Sequence, residues 1–137
     1  MKASPVLPAS LLALALIAVV PFAAEAACPD SPPLISDATV RFNPGSAALP
    51  QTELQELRDI AGRARMRSGG SVCVYGSSGK SDGMTGGIAM ERAEAVADEL
   101  RRGGVPSFQI EVIPFTESDG LLGAMSSGDR VEVVLED

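Results

Sequence analysis

The chain has 137 residues, with 18 acidic and 11 basic side chains and a formal net charge of −7 at pH 7. A chain of this length holds one domain, and an acidic surface gains nothing from the phosphates of a nucleic acid. Histidine is absent, which excludes Ser-His-Asp and Cys-His catalysis and removes the commonest zinc ligand.

Residues 1–26 have the layout of a secretory signal peptide. Lys2 supplies a positive start, and Leu11 to Val20 form an apolar run of about ten residues. Small residues at the end of the segment suit cleavage after Ala26 or Ala27. The run is shorter than the ~20 apolar residues that a spanning helix needs, although an uncleaved membrane anchor is the alternative. We therefore expect a periplasmic protein, with outer-membrane association as an option and no transmembrane span in the mature chain.

Two cysteines follow, Cys28 ahead of the domain and Cys73 inside a predicted strand. Export permits a disulfide, and a Cys28–Cys73 bridge would fix the N-terminal tail to the sheet. The alternative is a small buried Cys73 and a free Cys28. Lipidation of Cys28 is disfavoured because Glu25 stands where a lipobox has an aliphatic residue.

The remaining chain divides into a stiff, proline-rich leader at residues 27–37 and a domain at residues 38–137. Alternating and helical spacings of apolar residues predict its elements. In chain order these are a strand at Thr39–Phe42, a helix around Leu54–Ala64 that ends at Gly69 and Gly70, a strand at Ser71–Tyr75, a helix at Ile88–Arg102, a strand at Gln109–Pro114 and a strand at Arg130–Leu135. The order β-α-β-α-β-β predicts an α+β two-layer sandwich, with two helices packed on one face of a small mixed sheet.

The glycine-rich loop after the second predicted strand leads to a helix, a junction that favours anions. Gly79-Lys80-Ser81 partly matches a phosphate-binding loop, but Val74 occupies the position of the required first glycine. A Ser77–Lys80 dyad would need a helix, and these residues lie in the loop. Neither nucleotide binding nor serine–lysine catalysis is favoured, and we expect no enzyme activity and no cofactor.

Four segments in order carry a resemblance to a known family. The first, Val40–Leu49, is similar to Phe-Asp/Asn-x-x-Ser-x-x-Leu, and the second, Val72–Gly76, is a predicted strand that ends in glycine. The third, Ile88–Ala93, is similar to Leu-Ser-x-x-Arg-Ala, and the fourth, Asp129–Val133, is similar to Arg-Arg-Val-Glu-Ile. From Ala38 to Glu136 the chain resembles the OmpA-like C-terminal domain, also found in peptidoglycan-associated lipoproteins and flagellar stator proteins.

The resemblance implies a non-catalytic periplasmic domain that binds the diaminopimelate of the peptidoglycan stem peptide non-covalently. Arg92 aligns with the binding arginine of the family, and a guanidinium fork suits a carboxylate. The alternative is a solvated helix arginine paired with Glu91 or Glu94. The full site that the resemblance implies comprises Arg92, Asp82, Asn43, Gly76, Ser78 and Thr85.

The sequence departs from the family pattern at the site itself. Gly79 stands where the family has the loop aspartate that receives the ammonium, and Asp82, three residues on, is either its substitute or an ordinary turn residue. Thr85 replaces an asparagine, and Asp129 replaces the first arginine of the closing strand, which leaves Arg130. Losing a charge-assisted partner weakens a desolvated site. The alternative function is therefore a degenerate fold that serves as an interaction or assembly module, with outer-membrane or other envelope proteins as partners.

Overall fold

The computed structural model describes residues 3–5, 28–67, 69–78, 87–115 and 128–137. The apolar run of the expected signal peptide lies outside the described residues, as do Asp82 and Thr85. In the described part of the chain, neither α-helix combines the length and the apolar character that crossing a bilayer requires.

Within the described residues, the strands form one mixed sheet covered by two α-helices. The elements are β1 (Ala38–Arg41), α1 (Leu54–Met66), β2 (Ser71–Ser77), α2 (Gly87–Arg102), β3 (Ile110–Phe115) and β4 (Arg130–Glu136). The sheet order is β1-β4-β2-β3. β2 and β3 are parallel, whereas β4 is antiparallel to both β1 and β2. The predicted fold class, an α+β sandwich with both helices on one face of a mixed sheet, is confirmed.

The main core lies between the helices and one face of the sheet. Every second residue of the strands points into it, including Val40, Val74 and Val133, which are 0% exposed. α1 contributes Leu57 and Ile60, and burying a side chain of this size stabilises the fold by about 1.5–3 kcal/mol. This alternation is the period-2 pattern from which the strands were predicted.

Gly76 sets how closely α2 approaches the sheet. A Cβ atom at this position would contact the backbone oxygen of Ala89 and would lie 2.8 Å from the Cβ atom of Ala93. Three small residues therefore let α2 lie directly on β2. β2 also continues to Ser77, two residues beyond the predicted end, because Gly76 and Ser77 pair with β3. These two features bring the first turns of α2 against the end of β2.

The opposite face of the sheet is partly covered by the N-terminal leader. Cys28 is joined to Cys73 by a disulfide, with a Cα–Cα distance of 5.7 Å. Cys28, Cys73, Tyr75 and Val134 form a second buried cluster. The Tyr75 hydroxyl donates a hydrogen bond to the carbonyl of Pro29 at 2.8 Å. The leader is thus attached to the sheet by both a covalent bond and a hydrogen bond.

Tyr75 provides a pH-dependent reporter of this face. Burial, followed by the charges of Glu136, Glu111 and Asp30, raises the pKa of Tyr75 to about 12, against about 10 in an unfolded chain. The stabilisation from keeping the phenol neutral is therefore complete below about pH 10 and is lost as the pH rises towards 12.

Tyr75 is the sole tyrosine, so the tyrosinate absorbance of the protein measures this residue alone. In the oxidised protein we expect its titration midpoint well above the unfolded value of about 10. Reducing the disulfide releases the leader and lowers the midpoint. A midpoint near 10 in the oxidised protein, unchanged on reduction, would contradict this description.

Candidate functional site

Arg92 is the centre of the candidate site, and it is buried. Its side chain is 0% exposed, so the alternative of a solvated arginine paired with Glu91 or Glu94 is wrong. The cause lies in the helix period, because Arg92 shares the sheet-facing stripe of α2 with Ala89, Ala93 and Val96. The small alanines leave the space beneath α2 that the guanidinium occupies.

Within the described residues, the guanidinium donates hydrogen bonds to three backbone carbonyls from two separate segments. Nε donates to Ser46 at 2.8 Å, Nη1 to Ser77 at 3.2 Å and Nη2 to Asn43 at 3.2 Å. Asn43 and Ser46 belong to the loop after β1, and Ser77 ends β2. A hydrogen bond from a charged donor contributes about 1.5–3 kcal/mol. Arg92 therefore holds the end of β2 and the loop after β1 against α2.

Asp129 brings the start of β4 to the same guanidinium. Its Oδ1 atom lies 3.1 Å from Arg92 Nη1. That oxygen is buried and has no hydrogen-bond partner among the residues that the structure describes, so the attraction to Arg92 compensates its loss of water. The Phe42 ring completes the enclosure, with its centroid 5.6 Å from the Arg92 Cζ atom. In this ion pair Arg92 is buried and Asp129 is half-buried, so removing either residue would leave the charge of the other uncompensated.

The backbone around Asp129 is fixed by contacts with its neighbours. The Phe42 amide donates to the Asp129 carbonyl at 2.8 Å. The Ser77 hydroxyl lies 3.0 Å from the carbonyl of Gly128 and 2.8 Å from that of Arg130, and it donates its proton to one of them. These bonds position the carboxylate before the first residue of β4.

An open cavity of about 190 Å³ adjoins this ion pair. It is lined by Arg41, Phe42, Asp129 and Arg130, and we call it the edge cavity because β1 is an edge strand. Arg41 and Arg130 are direct partners across the antiparallel β1–β4 pair. Arg130 also lies 3.5 Å from a carboxylate oxygen of Glu132. Residues of both charge signs therefore line the cavity.

Part of the site inferred from the sequence is brought together. Arg92 and Asn43 are in contact, although Asn43 contributes its backbone carbonyl. Gly76 lies beneath α2, and Ser78 follows the Ser77 carbonyl that accepts from Arg92. Asp82 and Thr85 lie outside the described residues, and their roles stay predictions.

Asp129 is a partner of Arg92 that was not predicted from the sequence. The sequence shows only an acid where the family pattern has an arginine. That reversal of charge was the available signal, because an acid close to a buried arginine is the ordinary way to compensate its charge. The edge cavity depends on the register of two strands far apart in the chain, and the sequence carried no signal for it.

Comparisons with known proteins agree with this fold. A sequence model of the OmpA family matches residues 41–130. Among solved structures, the peptidoglycan-associated lipoprotein from Burkholderia pseudomallei superposes with a TM-score of 0.58 at 18% identity, over 72% of this chain and 89% of that one. The C-terminal domain of Helicobacter pylori MotB gives a TM-score of 0.59 at 20% identity, over 73% and 84%.

The OmpA-like domain of FopA1 from Francisella tularensis subsp. tularensis gives a TM-score of 0.56 at 24% identity, over 72% of this chain and 70% of that one. No curated protein sequence matches significantly. At these identities the structural matches show the fold, whereas the sequence model spans more than half of the chain. The chain belongs to the OmpA family.

Proposed function

We propose that this protein is a non-catalytic, exported domain of the cell envelope that binds the peptidoglycan stem peptide non-covalently. Membership of the OmpA family supports the proposal. So does the similarity in fold to a structure described as a peptidoglycan-associated lipoprotein. The proposal places the protein in the periplasm, with peptidoglycan as its partner and with outer-membrane association as an option.

The observation that carries the proposal is the collection of charged side chains at one end of the sheet. A diaminopimelate residue offers carboxylates and an ammonium group. Arginine side chains suit carboxylates because their donors form a planar fork, and a carboxylate suits the ammonium. Both kinds of partner, arginine side chains and a carboxylate, occur within one small region, which contains Arg92, Asp129 and the arginines of the edge cavity.

The role of Arg92 in this proposal is to build the region. Its guanidinium already donates to three carbonyls and pairs with Asp129. It fixes the position of Asp129 and of the loop that contains Asn43. A contact of the ligand with Arg92 itself would require this network to open.

The same burial favours a second candidate function, an envelope interaction or assembly module that has kept the fold. If Arg92 serves only to hold the domain together, the fold persists without a ligand. This candidate predicts a folded domain that ignores peptidoglycan and co-purifies with an outer-membrane or other envelope protein.

Co-sedimentation with purified, insoluble peptidoglycan separates the two candidates. We expect the oxidised wild-type protein to sediment with peptidoglycan and to stay in the supernatant without it. The control is the same protein unfolded in denaturant, which should not be retained. Wild-type protein that is folded and remains in the supernatant would overturn the proposal and favour the interaction module.

A further inference from the structure

We infer that Asp129 is an internal occupant of an anion site formed by the Arg92 guanidinium, an autoinhibitory contact that an incoming carboxylate must displace. The contact itself does not depend on the proposed function. Its effect on peptidoglycan binding rests on the proposed function and concerns the regulation of the same site.

The strand register places Asp129 on the helix side of the sheet. Arg41 and Arg130 are paired across β1 and β4, and the bond from the Phe42 amide to the Asp129 carbonyl continues this pairing by one residue. Successive strand residues alternate between the two faces of a sheet. Asp129 therefore shares the face of Phe42, which belongs to the main core, and the paired arginines lie on the other face. Asp129 is thus the acid that this register brings to Arg92.

Asp129 differs from the other partners of Arg92 in how it is held. The three carbonyl partners are backbone groups of β2 or of the loop after β1. Ser77 is paired with β3, and the Asn43 carbonyl also accepts from the Ser46 amide, so moving either group would disrupt the sheet or the turn. The carboxylate can rotate about its own side-chain bonds while the backbone stays in place. Among the partners that the described residues provide, it is the one that can leave without unfolding.

The geometry of the ion pair leaves room for a competitor. Asp129 Oδ1 lies 3.1 Å from Arg92 Nη1, yet in the described part of the chain it accepts no hydrogen bond. The distance suits a hydrogen bond, so the direction does not, and misaligned hydrogen bonds weaken steeply. An untethered carboxylate can align with guanidinium donors. It can therefore compete with Asp129, although Asp129 has the advantage of belonging to the same chain.

The edge cavity provides the space for this exchange. Asp129 lines the cavity, and its side chain is 28% exposed although Arg92 is fully buried. The volume of about 190 Å³ is many times the ~10–15 Å³ that one water molecule needs. The carboxylate therefore has room to turn away from the guanidinium, and an anion has room to enter behind it.

The internal contact lowers the apparent affinity for any external anion. Only molecules in which Asp129 has turned away can bind the anion at Arg92, and the apparent affinity falls by the fraction of such molecules. Neutralising Asp129 removes this cost. Neutralising Glu91 changes the net charge equally at the neighbouring position of α2, but its side chain is exposed, so Glu91→Gln is the matched control.

The first test asks whether Arg92 forms an anion site once Asp129 is removed. Thermal unfolding of oxidised Asp129→Ala is followed by circular dichroism in sodium formate and in sodium chloride of equal ionic strength. Formate replaces the missing carboxylate, so its midpoint should rise by several degrees in formate and then saturate. Wild type and Glu91→Gln should unfold alike in both salts. If Asp129→Ala is unfolded in chloride, formate should restore its fold.

The second test asks whether Asp129 competes with the ligand. Asp129→Asn keeps the size of the side chain and loses its charge. Its retention on insoluble peptidoglycan is measured against the concentration of folded protein, which circular dichroism supplies. We expect half-saturation at a concentration about tenfold or more below that of wild type, with Glu91→Gln equal to wild type.

The outcomes separate the inference from the proposed function. A formate response of Asp129→Ala no larger than that of Glu91→Gln would overturn the anion site. Retention of wild type, with Asp129→Asn no tighter than Glu91→Gln, would overturn the competition and leave peptidoglycan binding intact. Retention of Asp129→Asn alone would support the competition and overturn peptidoglycan binding by the wild-type chain. Retention of neither folded protein would overturn the proposed function and the competition, whereas a formate response would still support the anion site.

Discussion

Replacing Arg92 by alanine is expected to lower the free energy of unfolding by about 3–5 kcal/mol. The change leaves the buried oxygen of Asp129 without its counter-charge. It also removes the donor for the carbonyls of Asn43, Ser46 and Ser77. Native domains have a total stability of about 5–15 kcal/mol, so much of the stability would be lost. Denaturant unfolding of the oxidised protein measures the difference.

Further variants identify the cause. Arg92→Lys keeps the charge but cannot reach three carbonyls with a planar fork, so we expect an intermediate loss. Arg92→Leu combined with Asp129→Leu removes both charges, and this double variant should be more stable than Arg92→Leu alone. Arg58→Ala on the exposed side of α1 is the matched control. A loss for Arg92→Ala no larger than that of the control would contradict the structural role of Arg92.

This prediction affects how binding data are to be interpreted. A loss of peptidoglycan binding in Arg92→Ala would follow from unfolding as readily as from a lost contact. A far-ultraviolet circular dichroism spectrum of each variant, recorded beside the binding assay, separates these causes. Binding experiments should therefore report the folded fraction of each protein together with its retention.

Replacing Cys28 by serine is expected to cost about 2–4 kcal/mol. The disulfide joins residues separated by 45 positions, and its loss lets the unfolded chain expand. It also frees the leader that covers Cys73, Tyr75 and Val134. Wild type in reductant should unfold at the same denaturant concentration as Cys28→Ser, and reductant should not change the variant. Equal stability of oxidised wild type and Cys28→Ser would contradict a structural role for the bridge.

The bridge also bears on the chemistry of Cys28. A sulfur atom that forms a disulfide cannot at the same time carry a lipid through a thioether. The Cys28 nitrogen lies 3.3 Å from a carboxylate oxygen of Glu111. If cleavage follows Ala27, the nitrogen becomes the terminal ammonium group, and this contact becomes an ion pair. Both features favour a leader bound to the sheet over a lipid-anchored N-terminus.

The elements of the fold could be predicted because their signals are local. Apolar residues recur at period 2 in β4 and at helical spacing in α1 and α2. The end of β2 was predicted two residues early because Gly76 resembles a loop residue. Its place in the strand depends on pairing with β3 and on the close approach of α2, which are tertiary contacts.

The site was predicted only in part, since its partners are distant in the chain. Arg92 and Asn43 were found through the resemblance to a family. The burial of Arg92 was not, because an arginine next to alanines on an amphipathic helix also suits a solvated position. Its acceptors lie up to 49 residues away. The opposition of Arg41 and Arg130 follows from pairing the first strand with the last, a register that local spacing does not specify.

The most direct test of the central claim compares co-sedimentation of oxidised wild-type protein with two kinds of peptidoglycan. One has diaminopimelate at the third position of its stem peptide, and the other has lysine, which lacks the second carboxylate. The proposed recognition of diaminopimelate predicts retention by the first and clearly weaker retention by the second. Folded protein that is retained by neither, or equally by both, would contradict recognition of the stem peptide at this site.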